Sequence, residues 1–341
     1  MRYSGVAWNA NGYEVEVIDA DGRPVAGRAR FDPGRTDDMI EHLRRLGTAV
    51  TVVDSTNGIL DGRMMAAGLD VYRADPDILP PRPVFGSVPA AALAEAARRD
   101  LATVTRLGRT TGTQTGREHI LEADAAASAH AVGDLVAAGR CHSHGPRSDA
   151  APAVALTFDD GPLPPYTGQV LDVLRRYGVP ATFFCVGMNA GAHDSLLARM
   201  RDEGHAVGNH TWSHPFLPEL TQPQLIEQLE RTDEAIAQAC GESPALFRPP
   251  YGSRTPEVVG WMGGIDTTMV LWDVEPFDWA MPGADVIAER VLRDVRPGSI
   301  ILLHDGGGDR SQVVAALPRI IEDLLARSYR FLPVAELVAA H

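Results

Sequence analysis

The chain has 341 residues, 45% of them apolar, which is enough for two domains with buried cores. Asp and Glu number 45 against 31 Lys and Arg, which gives a net charge of −14. This acidity, without any basic run, argues against general nucleic-acid binding and against a polybasic membrane patch. The three cysteines show no paired spacing that would indicate a disulfide framework.

The hydropathy of the chain bears on its location. No apolar run approaches the ~20 residues that a membrane-spanning helix needs, so we expect no membrane insertion. The first residues lack a charged segment followed by an apolar one, which is the pattern of a secretion signal. We therefore expect a cytoplasmic protein.

Residues 1–140 form a first unit whose pattern predicts an α/β domain. An Asn-Gly turn at Asn11–Gly12 favours a hairpin. The predicted strands are Gly5–Trp8, Tyr13–Ile18, a third ending at Phe31, Ala49–Val53 and Val71–Arg73. The predicted helices are Asp37–Leu46, Gly58–Ala67, Ala90–Leu107 and Leu121–Gly139. A strand meander followed by alternating helix and strand resembles the ribonuclease-H-like fold over roughly 80 residues.

Nuclease chemistry is not expected from this first unit. The resemblance implies an acidic residue on the first strand, but Gly5–Trp8 carries none. Asp54 matches a second acidic position, and one carboxylate cannot hold two metal ions. We expect a scaffold or docking role, either shaping one rim of a groove or mediating a homodimer.

Residues 141–152 are polar, contain Gly and Pro, and are predicted to be a linker. His142 and His144 lie within this segment. Two linker histidines flanked by Ser and Gly are expected to be solvated rather than metal ligands.

Residues 153–341 alternate between strand and helix patterns, which predicts a parallel sheet or barrel. The strands are Val154–Phe158, Ala181–Val186, Ala206–Asn209, Leu246–Arg248, Thr268–Trp272 and Ser299–His304. The helices are Thr167–Tyr177, Ser195–Glu203, Gln222–Cys240, Pro256–Met262, Ala284–Val295 and Gln312–Arg327. In such folds the chemistry lies at the carboxyl ends of the strands, where the polar clusters of this chain fall.

Two of these clusters contain potential metal ligands. Asp159 and Asp160 follow the first strand, and two adjacent carboxylates there need a cation or hydrogen bonds. His210 and His214 can converge on one metal if their segment curls as a helical turn. Together they offer two histidines and a carboxylate, with positions left open for water. Taken separately, a DDG turn and two histidines also fit ordinary structure.

Three further clusters complete the pattern. Residues Arg248–Gly252 read RPPYG, a proline-fixed loop whose arginine could keep an aspartate ionised. Residues Trp272–Trp279 place tryptophans beside carboxylates, which suits a sugar groove or a plain core. A buried strand delivers His304, a candidate general acid, to a glycine-rich loop.

The five clusters, by their order and their residues, resemble the motifs of the polysaccharide deacetylase family. This family is also called the NodB-homology or carbohydrate esterase family 4 domain. The resemblance implies a distorted (β/α) barrel over 153–341. By this resemblance Asp160, His210 and His214 would bind the metal. Asp159 would be the general base, and Arg248 would orient it.

The same resemblance assigns the remaining site residues. Tyr251 would supply a backbone N–H to the oxyanion and contact the substrate. His304 would be the general acid, with a pKa tuned by Asp278. Trp279 and Leu302 would line the acetyl pocket. Family members often carry aspartate where this chain has Glu275, and we expect this difference to affect groove contacts, if anything.

The resemblance thus predicts removal of an N-acetyl group from an amino sugar with a divalent metal, Zn²⁺ first and Co²⁺ second. Peptidoglycan, a chitooligosaccharide and a small N-acetylated sugar all remain open as substrates. Hydrolysis of a small non-polymeric amide is one alternative function. An inactive carbohydrate-binding homologue is another, although the intact aspartates and histidines argue against it.

Overall fold

The computed structural model describes residues 1–54, 60–107 and 118–339. The strands are β1 (Tyr3–Asn9), β2 (Gly12–Ile18), β3 (Ala29–Phe31), β4 (Val50–Val53), β5 (Val71–Ala74), β6 (Val104–Arg106), β7 (Cys141–His142), β8 (Ala153–Asp159), β9 (Thr182–Cys185), β10 (Ala206–Asn209), β11 (Leu246–Phe247), β12 (Thr268–Val270), β13 (Ile300–His304) and β14 (Arg330–Phe331).

The helices alternate with these strands along most of the chain. They are α1 (Thr36–Arg45), α2 (Asp61–Ala66), α3 (Ala90–Arg99), α4 (Glu118–Ala127), α5 (Ala129–Ala137), α6 (Tyr166–Tyr177), α7 (Gly187–Ala192), α8 (Asp194–Asp202), α9 (Gln222–Cys240), α10 (Pro256–Met262), α11 (Ala284–Asp294), α12 (Ser311–Ala326) and α13 (Val334–Ala339). The predicted start of the second helix at Gly58 lies outside the described residues.

The first sheet is mixed and has the order β3-β2-β1-β4-β5-β6. β1 and β2 form the predicted hairpin, with Asn9 opposite Gly12 at its turn end. Gly12 has a φ of 114°, a conformation that glycine adopts without the steric cost of a Cβ. β4 and β5 run parallel to β1, and β6 runs antiparallel to β5 at the edge. Membership of this sheet in the ribonuclease-H-like fold stays a prediction.

The helix predicted over residues 90–107 is wrong in its second half. α3 ends at Arg99, Asp100 is extended, and its side chain accepts a hydrogen bond from the backbone N–H of Ala102. The chain then enters β6, which begins with Val104 and Thr105. Local capping by an aspartate and β-branched residues that favour strands outweigh the alanine-rich helical pattern here.

The segment around residue 140 also differs from its prediction. The single helix predicted over residues 121–139 is two, α4 and α5, which meet at Ser128. The hydroxyl of Ser128 donates to the carbonyls of Asp124 and Arg254, and α5 contacts α10. β7, which lies inside the predicted linker, pairs in parallel with β12. The end of this part of the chain therefore contacts the second sheet.

The second sheet is parallel along the path β13-β8-β9-β10-β11-β12-β7, and β14 pairs with β8. Every residue of β8 and β9 is buried, as is usual for parallel strands covered by helices. A bridge joins Val274, in the segment after β12, to Ile301 of β13, so the curved sheet turns back towards β13. The predicted fold class, a parallel C-terminal barrel of β/α units preceded by a smaller α/β domain, is confirmed.

The sequence patterns missed α7, β14 and α13, which are short elements of two to six residues. Too few residues repeat in such elements to produce a periodic signal. α7 matters most for the site because it follows β9 directly and contacts the segment after β10. Among the described residues, no helix is both long and apolar enough to span a bilayer.

Candidate active site

The chemistry-bearing residues meet at the carboxyl ends of β13, β8 and β10, strands of one sheet in which β9 lies between β8 and β10. Asp159 is the last residue of β8, His304 is the last residue of β13, and the two are paired in register. His210 directly follows β10, which pairs with β9 beside β8. Parallel strands present their carboxyl ends at one edge, so the topology itself collects these side chains.

Asp160, His210 and His214 form a buried cluster with ligand atoms within 4.8 Å of one another. Nε2 of His214 lies 3.2 Å from Oδ1 of Asp160, and Nε2 of His210 lies 3.6 Å from the same oxygen. The rings of the two histidines are 4.8 Å apart. The structure thus brings the three predicted metal ligands together.

The donor set fits a divalent cation. Oδ1 of Asp160 is buried and accepts no hydrogen bond among the described residues, which is costly for a carboxylate without a cation. Burial, followed by the neighbouring His214, holds the pKa of His210 well below its usual value. Nδ1 of His210 is 2.7 Å from the carbonyl oxygen of Arg248, so Nε2 is the nitrogen that faces Asp160. Neutral histidines held through their second nitrogen are typical metal ligands.

Left-handed backbone conformations cluster around the candidate metal ligands. Asp160, Thr211, His214 and Tyr251 have φ values of 76°, 66°, 54° and 60°. None is a glycine, and each such conformation costs roughly 1–3 kcal/mol when it is strained. Thr211 is held by a bond from its N–H to Oδ1 of Asn209, whose amide donates to Asp233. Surrounding contacts therefore fix a backbone that aims the ligands inward.

Asp159 pairs with Arg248 in a buried ion pair. Nη1 of Arg248 donates to Oδ1 of Asp159 at 2.7 Å and to Oγ1 of Thr157 at 2.7 Å. The guanidinium lies over the ring of Phe184 and is fully buried. Burial raises the pKa of Asp159, and the charge of Arg248 opposes that rise. This arrangement makes Asp159 a proton acceptor stronger than an exposed aspartate.

His304 is bound twice by one carboxylate. Its Nδ1 lies 2.8 Å from Oδ1 of Asp278, and its backbone N–H donates to Oδ2 at 2.9 Å. Burial alone would lower the pKa of His304, but the Asp278 carboxylate and the negative charge of Asp160 raise it to about 9. His304 is therefore an imidazolium at neutral pH, and its Nε2 carries a proton.

Three other predicted residues lie around this centre. Tyr251 has its ring 4.5 Å from that of His214. Leu302 is buried on β13, two residues before His304. Trp279 directly follows Asp278 and is half-buried. The roles given to these three residues stay predictions.

Glu275 joins the two tryptophans of its segment. Nε1 of Trp272 donates to Oε2 of Glu275 at 3.1 Å, and Nε1 of Trp279 points to Oε1 at 3.4 Å. The carboxylate thereby fixes the orientation of both indoles. The sequence shows that Glu275 lies near two tryptophans, but only the structure shows that its carboxylate contacts both indoles.

Two positioning residues were missed by the sequence interpretation. The side chain of Asn189 on α7 donates to the carbonyl of Asp160 at 2.6 Å. The buried carboxylate of Asp305 accepts bonds from Oγ1 of Thr167 at 2.5 Å and from the N–H of Gly161 at 3.2 Å. Both hold the turn that contains Asp160. Asp305 directly follows a predicted strand, which was the available signal, whereas Asn189 lies on the short helix α7 that the sequence patterns missed.

The remaining candidates lie away from this centre. Asp54 is buried at the end of β4 and accepts bonds from the hydroxyl of Ser87 and the N–H of Val88, with Arg82 beside it. It therefore has a structural set of partners. Nδ1 of His144 bonds to the carbonyl of Gly145, and Nε2 of His142 to that of Gly139. Neither histidine belongs to the metal cluster.

An aspartate and two histidines beside a second aspartate and an imidazolium, on a parallel barrel, define a metal-dependent hydrolase. A model of the polysaccharide deacetylase family matches residues 147–267. The peptidoglycan-N-acetylglucosamine deacetylase of Bacillus cereus is 40% identical over 187 residues, covering 54% of this chain and 87% of that protein. A chitooligosaccharide deacetylase of Sinorhizobium fredii is 44% identical over 196 residues, covering 54% and 91%.

Solved structures agree with this relationship. The Bc1960 peptidoglycan N-acetylglucosamine deacetylase is 35% identical, with a TM-score of 0.58 over 61% of this chain and 97% of that one. A structure described as a carbohydrate esterase family 4 pseudoenzyme from Bacillus anthracis is 29% identical, with a TM-score of 0.53 over 58% and 68%. The chain belongs to the polysaccharide deacetylase family. It is a metal-dependent N-deacetylase of that family.

Proposed function

We propose that this chain hydrolyses the N-acetyl group of N-acetylglucosamine units in a peptidoglycan- or chitin-type oligomer, with zinc as the cation. The observation that carries the proposal is the cluster of Asp160, His210 and His214 beside Asp159 and His304. Relatives at about this level of similarity are named for peptidoglycan and chitooligosaccharide substrates. Nitrogen and oxygen donors in this number suit Zn²⁺, and Co²⁺ accepts the same set.

Asp160, His210 and His214 would hold the cation. When bound, it would polarise the acetamide carbonyl and make a nearby water more acidic. Asp159 would take the proton from that water, because its carboxylate is buried, paired with Arg248 and 3.6 Å from His210. Arg248 would keep the carboxylate in place through its bond to Oδ1.

The loops that contain Tyr251 and His304 would stabilise the negative charge and supply the second proton. The backbone N–H of Tyr251, in its left-handed conformation, would donate to the oxygen that becomes negative. His304 would give its Nε2 proton to the departing amine while Asp278 holds the imidazolium. The carbon–nitrogen bond breaks, and acetate and a free amine result from one water. The indole of Trp279 and the side chain of Leu302 would form the acetyl pocket.

The first domain would act as a scaffold rather than as a second enzyme. Its acidic candidate, Asp54, is occupied by hydrogen-bond partners, which supports this role. Its predicted end at residue 140 stays a prediction, and the α5–β7 segment contacts the second sheet and its helix α10. A homodimer formed through this domain and a cytoplasmic location stay predictions, tested by light scattering and by cell fractionation.

Acetate release from a length series of chitooligosaccharides tests the substrate assignment, with peptidoglycan and monomeric N-acetylglucosamine measured in parallel. The zinc-loaded protein is expected to release acetate from oligomers faster than from the monomer. Release from small amides alone would favour the small-amide alternative. Carbohydrate binding without any acetate release would favour a binding homologue.

A further inference from the structure

The loop that carries both histidine ligands has a side chain in the core of the other domain. Trp212 lies between His210 and His214 and is 8% exposed. Its apolar cluster consists largely of first-domain residues, among them Trp8, Val53 and Leu60. The loop His210–His214, called the ligand loop here, therefore packs partly against the first domain and not only against the barrel.

An aromatic chain makes this contact. The ring of Trp8 on β1 meets that of Phe85 edge-on at 5.3 Å, and Phe85 meets Trp212 at 5.6 Å. Arg231 on α9 lies 5.6 Å from the Phe85 ring. Phe85 is thus held between the first sheet and the catalytic domain. Aromatic pairs at these separations have preferred geometries, so the contact orients Trp212 as well as burying it.

The barrel supports the same loop by its backbone, and its residues Val186 and Met188 share the apolar cluster of Trp212 with the first domain. The N–H groups of Gly187 and Met188 donate to the carbonyls of Thr211 and Trp212. A methyl group at Gly187 would lie 2.6 Å from the indole, so only glycine allows this approach. Trp212 is two residues from each histidine, and Thr211 and His214 beside it have left-handed conformations, so a shift of Trp212 would disturb the backbone that carries both imidazoles.

A second contact reaches the third ligand. A methyl group on Gly62 of α2 would lie 3.2 Å from the carbonyl oxygen of Gly307. A methyl group on Gly307 would in turn lie 2.5 Å from Oδ2 of Asp160. The glycine loop after His304 is therefore packed between the first domain and the Asp160 carboxylate. Both sides of the ligand cluster adjoin the first domain.

We propose that the first domain is a structural part of the metal site, and that Phe85 is a positioning residue that sets metal affinity through Trp212. This inference rests on the proposed function only in taking Asp160, His210 and His214 as the ligands. The Bacillus cereus and Sinorhizobium fredii relatives align with 54% of this chain over 87% and 91% of their own lengths. Those two proteins have little sequence outside the aligned region, too little for a domain like the first one. Support of the metal site by the first domain is therefore a feature that this chain has and they lack.

The test is a Co²⁺ titration of the full-length metal-free protein, followed by visible absorbance, for Phe85→Ala and a matched control. Phe31→Ala is the control, because Phe31 is also partly buried against the same apolar cluster but its ring contacts His42 rather than Phe85 or Trp212. Phe85→Ala is expected to weaken Co²⁺ binding about 10- to 100-fold, the usual effect of losing support behind metal ligands. Phe31→Ala should stay within about twofold, and Phe85→Tyr should restore affinity and the absorbance bands.

Thermal melting of each metal-free variant separates positioning from general destabilisation. Equal losses of affinity in Phe85→Ala and Phe31→Ala, or unchanged affinity in Phe85→Ala, would overturn the inference. If Phe85→Ala fails to fold, Phe85→Leu provides the same comparison with most of the apolar volume retained. Since binding is read without substrate, a chain that binds Co²⁺ in this Phe85-dependent way but releases no acetate would overturn the proposed substrate and support this inference.

Discussion

Arg248 and Asp159 form a fully buried ion pair in which Nη1 lies 2.7 Å from Oδ1. The pair connects β11 to β8 and places a fixed positive charge behind the candidate base. Burial raises the pKa of Asp159, and the charge of the guanidinium opposes that rise and favours the carboxylate form.

Arg248→Lys should shift the acid limb of kcat/KM to higher pH. Lysine keeps the charge but loses the planar set of donors that also bonds Thr157, so Asp159 is less well stabilised as an anion. The pH profile of acetate release measures the shift, and Arg293→Lys, at an exposed residue, is the control. An acid limb that does not move would show that Arg248 does not set the protonation of the base.

Asp159→Asn should lower kcat by about 10²- to 10⁴-fold while leaving the cation bound. The amide cannot accept the water proton, whereas the three ligand side chains are unchanged. Metal content by mass spectrometry and acetate release are measured on the same sample. Asp294→Asn, at an exposed position, controls for the loss of a charge. Turnover equal to that of the parent would remove Asp159 from the reaction.

Asp278→Asn should move the alkaline limb of the pH profile to lower pH. The pKa of His304 is about 9 because Asp278 offsets the effect of burial, so without that carboxylate burial prevails and the pKa falls. Activity at pH 8 should then drop more than activity at pH 6. An alkaline limb at the parent's position would mean that His304 is not the acid or that Asp278 does not tune it.

Asp305→Asn should flatten the pH dependence of stability between about pH 4 and pH 7. Burial raises the pKa of Asp305 to about 7, so the folded state binds a proton there that the unfolded state releases near pH 4. The parent therefore loses stability as the pH rises through this window, and asparagine does not titrate. Urea unfolding of both proteins at several pH values measures the difference. Parallel curves would show that Asp305 is ionised in the fold.

Glu275→Gln should raise KM for oligosaccharides about fivefold with little change in kcat. An amide can accept from only one of the two indoles in the same way, and one hydrogen bond contributes roughly 1 kcal/mol. Steady-state kinetics on a chitooligosaccharide measures both constants, and Glu257→Gln on α10 is the exposed control. Unchanged KM would show that the indole orientation is set elsewhere.

The strand ends of the catalytic domain could be predicted because buried parallel strands leave an apolar run that a polar residue interrupts. That signal places Asp159 and His304 at strand ends, and the family resemblance supplies the roles expected of them. The residues that position the site could not be predicted in the same way. Asn189 lies on a short helix that no pattern predicted, and Asp305 bonds to Thr167 rather than to the neighbouring His304. The contact of Trp212 with Phe85 crosses more than a hundred residues of sequence, so no local pattern indicates it.

The errors in the first part of the chain have a common cause. One hydrogen bond from Ala102 to the Asp100 side chain marks the end of α3. β7 is only two residues long and depends on its pairing with β12. Helical periodicity in alanine-rich sequence cannot detect either. The mixed sheet itself was predictable, because its hairpin and its buried parallel strands have strong patterns.

Metal stoichiometry tests the central claim most directly. The full-length protein, stripped with a chelator and reloaded with Zn²⁺, is expected to bind one ion per chain and to regain acetate release in proportion. Asp160→Ala, His210→Ala and His214→Ala should each lose both the ion and the activity. Full acetate release by the stripped protein, or one bound ion retained in all three variants, would contradict the account.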